Sequence, residues 1–162
     1  MLDALTVMAR FKQEMQLGYE VSYEGTHHGP SLDVPTMFAE LGSAPEQWSD
    51  LRAAGVVANA AMKACSDFGS HPAKAVLGVG GPHYNAKFTK MALESKLAFG
   101  HMIPKYAVAG VDVEMLKQCV ERTLERVDRA VLDWKGIKGE DKPHVIRTLD
   151  EAGLPFEKAY PV

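Results

Sequence analysis

The chain has 162 residues, 46% of them hydrophobic and 24% charged, with a formal charge of −3, the profile of a single globular domain able to bury a sizeable core. No apolar run approaches the ~20 residues of a membrane span, and the opening residues, MLDALTVMARFKQEM, lack the basic and apolar regions of a secretory signal. The net charge does not mark a nucleic-acid binder. Its distribution is uneven, however: between residues 81 and 110, Lys87, Lys90, Lys96 and Lys105 stand against Glu94 alone. A basic stretch on an acidic chain suits a phosphate-bearing partner or, in the plainer reading, a solvated helix face.

Residues 2–16 place Leu5, Met8, Phe11 and Met15 at spacings of three and four, an amphipathic helix closed by Gly18. "YEVSYE" (19–24) alternates as a strand does, and "VPTMFAELG" (34–42) reads as a second strand. "SAPE" (43–46) is a capping-box pattern, with Ser43 as cap and Glu46 reaching back, and it opens one long helix to about Asp67. "AKAVLGVGG" (73–81) has the character of a buried strand ending in glycines. "NAKFTKMALESK" is a short helix, and "LAFGHMIP" (97–104) a strand closed by Pro104. A helix over 112–127 with Asp112 as its cap, a strand over 129–134, a helix over 139–153 ended by Gly153 and a last short strand, "PFEKAY", complete the chain.

This alternation predicts one α/β domain over residues 1–162, with a largely parallel sheet covered on both faces. Ligands of such sheets gather at the carboxyl ends of the strands. His27, His28, Ser43 and His83 fall at those ends. Cys65 and Cys119, each in a helix-like stretch, read as buried reduced thiols, which predicts a cytoplasmic protein.

Three stretches carry chemistry: "THHGPS" (26–31), "GVGGPHY" (78–84) and "FGHMIPKYA" (99–107). Each sets histidine close to glycine, which lets backbone approach a ligand. His27, His28, His83 and His101 with Glu40 are enough donors for a zinc site with an open water position. Without a metal, the same residues supply a general base and an oxyanion donor. A histidine taken singly is more often structural, and His71 and His144 keep that reading. "GVGG" lacks the spacing of a phosphate loop, and neither a GxSxG elbow nor an HExxH pair is present. Thr26, Ser31 and Thr89 suit turns and caps better than nucleophilic attack. The residues by themselves reach an α/β hydrolytic enzyme, with or without a metal.

Four blocks in order, "LGYEVSYEGTHHGPSLDVPTMFAELGS", "GVGGPHYNAKFT", "AFGHMIPKYA" and "LDWKGIKGED", resemble the archaeal and plant type of D-aminoacyl-tRNA deacylase across nearly all of the chain. The resemblance implies hydrolysis of the ester between a D-amino acid and tRNA, a zinc requirement, and a three-layer α/β/α fold with a mostly parallel mixed sheet, similar to phosphorylase/hydrolase-like proteins. Matched residue by residue, it points to Thr26, His27, His28, Glu40, Gly80, Gly81, His83, Tyr84, His101, Lys105 and Tyr106. The expected roles are catalysis by His28, Glu40 and His101, and metal binding by His27, His28, Glu40 and His83. Thr26, Gly80, Gly81, Tyr84, Lys87 and Lys105 are expected to bind substrate, with Gly80 and Gly81 offering amides to the oxyanion.

Two departures from the family stand out. Pro82 occupies the place of a usual third glycine, which removes an amide. The family also extends further at its N-terminus, so this chain is expected to be a carboxy-terminal part or a shortened member, working alone, as a homo-oligomer or with a complementing N-terminal chain. Two rival readings are a metal-dependent amidase or peptidase on small substrates and an inactive, truncated tRNA-binding module.

Overall fold

The computed structural model describes residues 1–25, 29–30, 32–70, 73–95 and 97–160. They form two compact units, one of Met1–Ser22 with Met37–Pro72 and one of Tyr23–Thr36 with Ala73–Val162. Among the described residues, no helix is long and apolar enough to cross a membrane.

The first unit holds helices α1 (Leu2–Glu14), α2 (Pro45–Trp48) and α3 (Leu51–Ser66). Ala4 and Val7 of α1 meet Ala60 of α3, with Met8, Phe11, Met37 and Ala64 packed around them. Of the four positions that the helical spacing put on one face of α1, Met8 and Phe11 belong to this cluster, while Leu5 is buried and Met15 half-buried. The expected single helix over 43–67 is broken at Ser49–Asp50. Its cap is Asp50, whose Oδ1 accepts from the Arg52 and Ala53 amides at 2.9 and 3.2 Å. The Tyr19 hydroxyl donates to the other oxygen at 2.9 Å. The Ala53 amide first, and then Tyr19, hold the Asp50 carboxyl below the usual carboxylate range. Ser43 makes no capping box: Ala44 stands at the start of α2, with no side-chain cap. Gln16, at φ 53°, and not Gly18, turns the chain out of α1.

The second unit is built on a four-stranded sheet: β1 (Lys74–Val79), β2 (Leu97–Ile103), β3 (Val127–Leu132) and β4 (Phe156–Lys158), in the order β2-β1-β3-β4. All three pairings are parallel, so the mixed sheet expected from the family resemblance is wholly parallel among the described residues. Alternate side chains of β1 face opposite layers. Leu77 and Val79 pack with Leu116 of α5 (Val113–Glu121) and with Val145 and Leu149 of α6 (Lys142–Glu151). On the other face, Phe88 of α4 (Ala86–Ser95) stacks on Phe99, with ring centroids 4.5 Å apart. The result is a helix–sheet–helix sandwich, the expected three layers.

Three sequence expectations change here. Residues 19–24 and 34–42 form no strand. Glu24 makes a single antiparallel bridge to Tyr84, and the 34–42 segment is irregular. An alternating pattern becomes a strand only when a neighbour receives its N–H and C=O groups, and among the described residues the Glu24–Tyr84 bridge is the one β-pairing that either segment makes. The helix begun at Asp112, whose Oδ1 accepts from the Met115 amide at 2.8 Å, stops at Glu121 and not at 127. Both cysteines are free thiols, but Cys65 is exposed and not buried.

The central strand tolerates no added bulk at Gly78, where a Cβ would lie 2.7 Å from the Phe88 ring and 3.1 Å from Met102. Gly78→Ala is expected to cost about 1–3 kcal/mol as an overpacked core, read as a lowered midpoint in urea denaturation.

Candidate functional site

The site lies at the carboxyl end of β1, where Gly80 and Gly81 have φ values of 94° and 81°, open to glycine and strained for other residues. A Cβ on Gly80 would meet Ile137 at 2.6 Å, and one on Gly81 would collide with the Asn85 amide. The turn is tied on every side. Gly80 N donates to Ile103 O at 2.8 Å and Gly81 N to Gly136 O at 3.3 Å, while Gly81 O accepts from Lys105 N at 2.9 Å. Asn85, 2% exposed, donates to Gly80 O through Nδ2 and accepts the Phe88 amide at Oδ1, starting α4. Its own amide donates to Tyr23 O. Both glycine amides therefore already have acceptors within the fold, against the expectation that they await an oxyanion.

Beneath the turn, the buried carboxylate of Asp133 pairs with the Lys87 ammonium. A buried charge needs such a partner. Lys87 thus closes the inside of the site, and the expectation that it is offered to substrate is weakened. Lys90 faces Glu94 at 3.9 Å on the surface of α4. Lys105 is exposed and has no ion-pair partner among the described residues.

At the rim, His83 Nε2 lies 2.8 Å from Glu24 Oε1 and its Nδ1 lies 3.2 Å from the Tyr106 hydroxyl. The exposed rings of Tyr84 and Tyr106 flank the imidazole, with centroids 5.2 and 6.3 Å away. With Glu24 ionised, Nε2 carries the proton, and the neutral ring accepts from Tyr106 at Nδ1. Protonation of Nδ1 reverses that bond, and the Tyr106 O–H is then free to donate outward. The group can therefore present a hydroxyl donor whose direction follows the charge on His83.

His101 sits two residues inside the end of β2. The β1–β2 register shifts at Gly100, so His101 stands opposite Leu77. Its Nδ1 lies 3.0 Å from Thr123 Oγ1. Burial first, and then the Arg122 guanidinium, hold its pKa below the usual histidine value. Arg122 itself binds Leu32 O and the Asp33 carboxylate at 3.0 and 2.9 Å, which anchors the segment following THHGPS.

Gly80, Gly81, His83, Tyr84, Lys87, His101 and Lys105 are thus brought to the carboxyl ends of β1 and β2. Glu40 belongs to the helical unit, as an exposed residue of an irregular segment. Thr26, His27, His28, Ser31 and His71 lie outside the described residues. His144 is structural as expected, its Nε2 donating to Val111 O at 2.8 Å. No group of three metal-ligating side chains occurs among the described residues. Two ligands of one tetrahedral zinc stand roughly 3.3 Å apart. The 2.8 Å between His83 and Glu24 is a hydrogen bond, so these two do not form a zinc site by themselves. Glu24, Asn85, Thr123 and Asp133 were missed from the sequence. Glu24 directly precedes "GTHHG" and Asp133 lies in the fourth family block, which are usable signals. Asn85 sits next to its block's histidine and tyrosine. Thr123 carried no signal.

A family profile described as D-aminoacyl-tRNA deacylase matches residues 1–157. The D-aminoacyl-tRNA deacylase of Thermococcus kodakarensis is 46% identical over 141 residues, 86% of this chain and 52% of that protein. That of Ignicoccus hospitalis is 42% identical over 152 residues, 93% of this chain and 59% of that protein. The chain therefore spans about half the length of the curated relatives it matches. The crystal structure of AF0625, a conserved protein of unknown function, superposes with a TM-score of 0.80 at 28% identity, covering 97% of this chain and 56% of that one.

Lys87→Met leaves the buried Asp133 carboxylate without its cation and is expected to cost about 3–5 kcal/mol, read by urea denaturation, with Lys87→Met/Asp133→Leu recovering part of the loss. A second expectation concerns pH. The folded pKa of His101 lies below its ordinary 6.5, so the unfolded chain takes up that proton first. The contribution of His101 to stability is then complete above pH 6.5 and is lost as pH falls from there through the folded pKa. The stability difference between wild type and His101→Gln is therefore expected to shift against wild type between pH 7.5 and pH 5.

Proposed function

The chain belongs to the D-aminoacyl-tRNA deacylase family, and from that premise we propose that it hydrolyses the ester bond of D-aminoacyl-tRNA, releasing the D-amino acid and tRNA. The observation that carries this reading is the family match over residues 1–157, which contains every residue of the strand-end site. The proposal places the aminoacyl ester at the carboxyl ends of β1 and β2. An activated water attacks the carbonyl, and the ribose oxygen of the terminal nucleotide leaves. The glycine amides are already engaged, so the donor to the carbonyl oxygen is the Tyr106 hydroxyl with His83 as the imidazolium, its Nδ1–H turned to the phenol oxygen and its Nε2–H to Glu24. The rings of Tyr84 and Tyr106 suit stacking against an unpaired terminal base, and Lys105 suits a phosphate of the acceptor end. A tRNA substrate sets this work in the cytoplasm.

Zinc is part of the proposal on donor chemistry alone: His83 is an imidazole at the site, and His27 and His28 precede the anchored Leu32–Asp33 segment. A zinc ion bound there would lower the pKa of its water to about 7.

The test is release of D-tyrosine from D-tyrosyl-tRNA by the purified chain, with and without added zinc, with L-tyrosyl-tRNA as control. D-selective release is expected, and His83→Ala is expected to lower kcat about 100-fold or more, the usual loss when an oxyanion donor is misplaced. Equal hydrolysis of both substrates, or an unchanged rate in His83→Ala, overturns the reading. Binding of tRNA by a folded chain that releases nothing selects the truncated binding module instead.

A further inference from the structure

We propose that His101 is the general base of the hydrolysis and that Thr123 is the positioning residue that leaves its Nε2 open to take a proton, an inference that rests on the deacylase reading above. Three independent features of the chain converge on one hydrogen bond. The register shift at Gly100 turns His101 toward the layer of α5 and α6, opposite Leu77. A bulge of this kind re-aims a side chain and recurs beside active sites. Gly100 makes the room: a Cβ there would lie 2.5 Å from Thr123 Oγ1 and 3.0 Å from Thr123 Cβ. Thr123, just past the end of α5, then meets the ring at 3.0 Å.

The direction of that bond follows from counting protons. A threonine hydroxyl has one proton to give, and Thr123 gives it to Cys119 O at 2.8 Å. The contact with His101 must therefore run from the ring Nδ1–H to the hydroxyl oxygen. In the neutral imidazole, this leaves Nε2 as a lone pair, and Nε2 makes no hydrogen bond to any described residue. His83 is set differently, since both of its ring nitrogens are engaged, by Glu24 and Tyr106. Of the two strand-end imidazoles, only His101 offers an open basic nitrogen.

The charges around the ring favour the same role. Arg122, paired with Asp33, disfavours the protonated ring, and burial keeps the Cys119 thiol protonated and uncharged. Burial and Arg122 thus both favour the neutral, accepting ring. His101 is two residues from the end of β2, about 7 Å along the strand, and the chain from that end leads directly into Lys105 and Tyr106. Nε2 takes a proton from water as the water oxygen bonds to the ester carbonyl carbon. The tetrahedral intermediate then breaks its bond to the ribose oxygen, which receives that proton from the imidazolium. One water is consumed, and the ring returns to neutral. Arg122 beside the imidazolium promotes the second transfer.

The experiment combines kinetics with a readout independent of turnover. Long-range 1H–15N correlation spectra of the full chain are expected to show His101 as the Nδ1–H tautomer, in Thr123→Ser as in wild type, and mixed or reversed in Thr123→Val. His101→Gln is expected to lower kcat about 100-fold or more. Thr123→Val is expected to lower kcat roughly tenfold or more with KM little changed, as when a hydrogen bond that orients an imidazole is removed. It should also shift the acid limb of the kcat/KM profile, with Thr123→Ser restoring both. A purely packing role for Thr123 would lower the melting temperature and leave that limb in place. An Nε2–H tautomer in wild type overturns the positioning role. Full activity in His101→Gln overturns the base. A wild-type chain that hydrolyses neither D- nor L-tyrosyl-tRNA overturns the deacylase reading and the base with it, while the spectra decide the orientation by Thr123 separately.

Discussion

The Lys87–Asp133 ion pair buries a carboxylate under the end of a parallel sheet, and that burial is tolerable only while the ammonium stays against it. The constraint reaches outward. Asp133 follows β3 and its amide bonds Val79 O, so the end of β1 and the end of β3 are held level. Lys87 belongs to the first turn of α4, so the same pair sets where that helix begins. Asn85, two residues earlier, joins Tyr23, Gly80 and Phe88. A charge that must be neutralised thus gathers both glycines, the start of α4 and the Tyr23–Gly25 segment into one rigid mouth.

On that mouth, two imidazoles have different surroundings and hence different chemistry. His83 is held between a carboxylate and a phenol, which links its charge to the direction of that hydroxyl. His101 is held by a hydroxyl that has already spent its proton, next to a guanidinium that discourages a second charge. Two groups of the same type whose environments push them apart can divide donor and base between them. The basic stretch seen in the sequence is divided in the same way: Lys87 neutralises the interior, Lys90 faces Glu94, and Lys105 remains at the rim. Charge counted along a sequence overstates what a phosphate partner meets.

Much of the second unit was legible from pattern. The continuous apolar run at 73–81 became the central, doubly covered strand, and Asp112 and Gly153 marked a helix start and a helix end as their chemistry requires. The glycines after β1 were read as the end of a strand that meets a ligand or a helix, and the turn there is held by Asn85 at the start of α4. Segments 19–24 and 34–42 were misread as strands because a local pattern, such as the alternation of 19–24, does not report a pairing neighbour. Ser43 was misread as a cap because Asp50, with a carboxylate that also accepts from Tyr19, wins the stronger position. Glu24 was missed because its partner, His83, is 59 residues away.

What the sequence by itself determined is local and compositional: the alternation of helix and strand, the apolar faces that form the layers, and the histidine- and glycine-rich blocks that mark the family. These depend on spacing within a few residues, which the chain carries wherever it goes. Tertiary structure alone decided which nitrogen of His101 meets Thr123, that the Gly80 and Gly81 amides are engaged, and which lysine is enclosed. Each of those depends on where a proton or a charge finds its partner, and the partners come from distant segments that only the folded sheet brings within 3 Å or so.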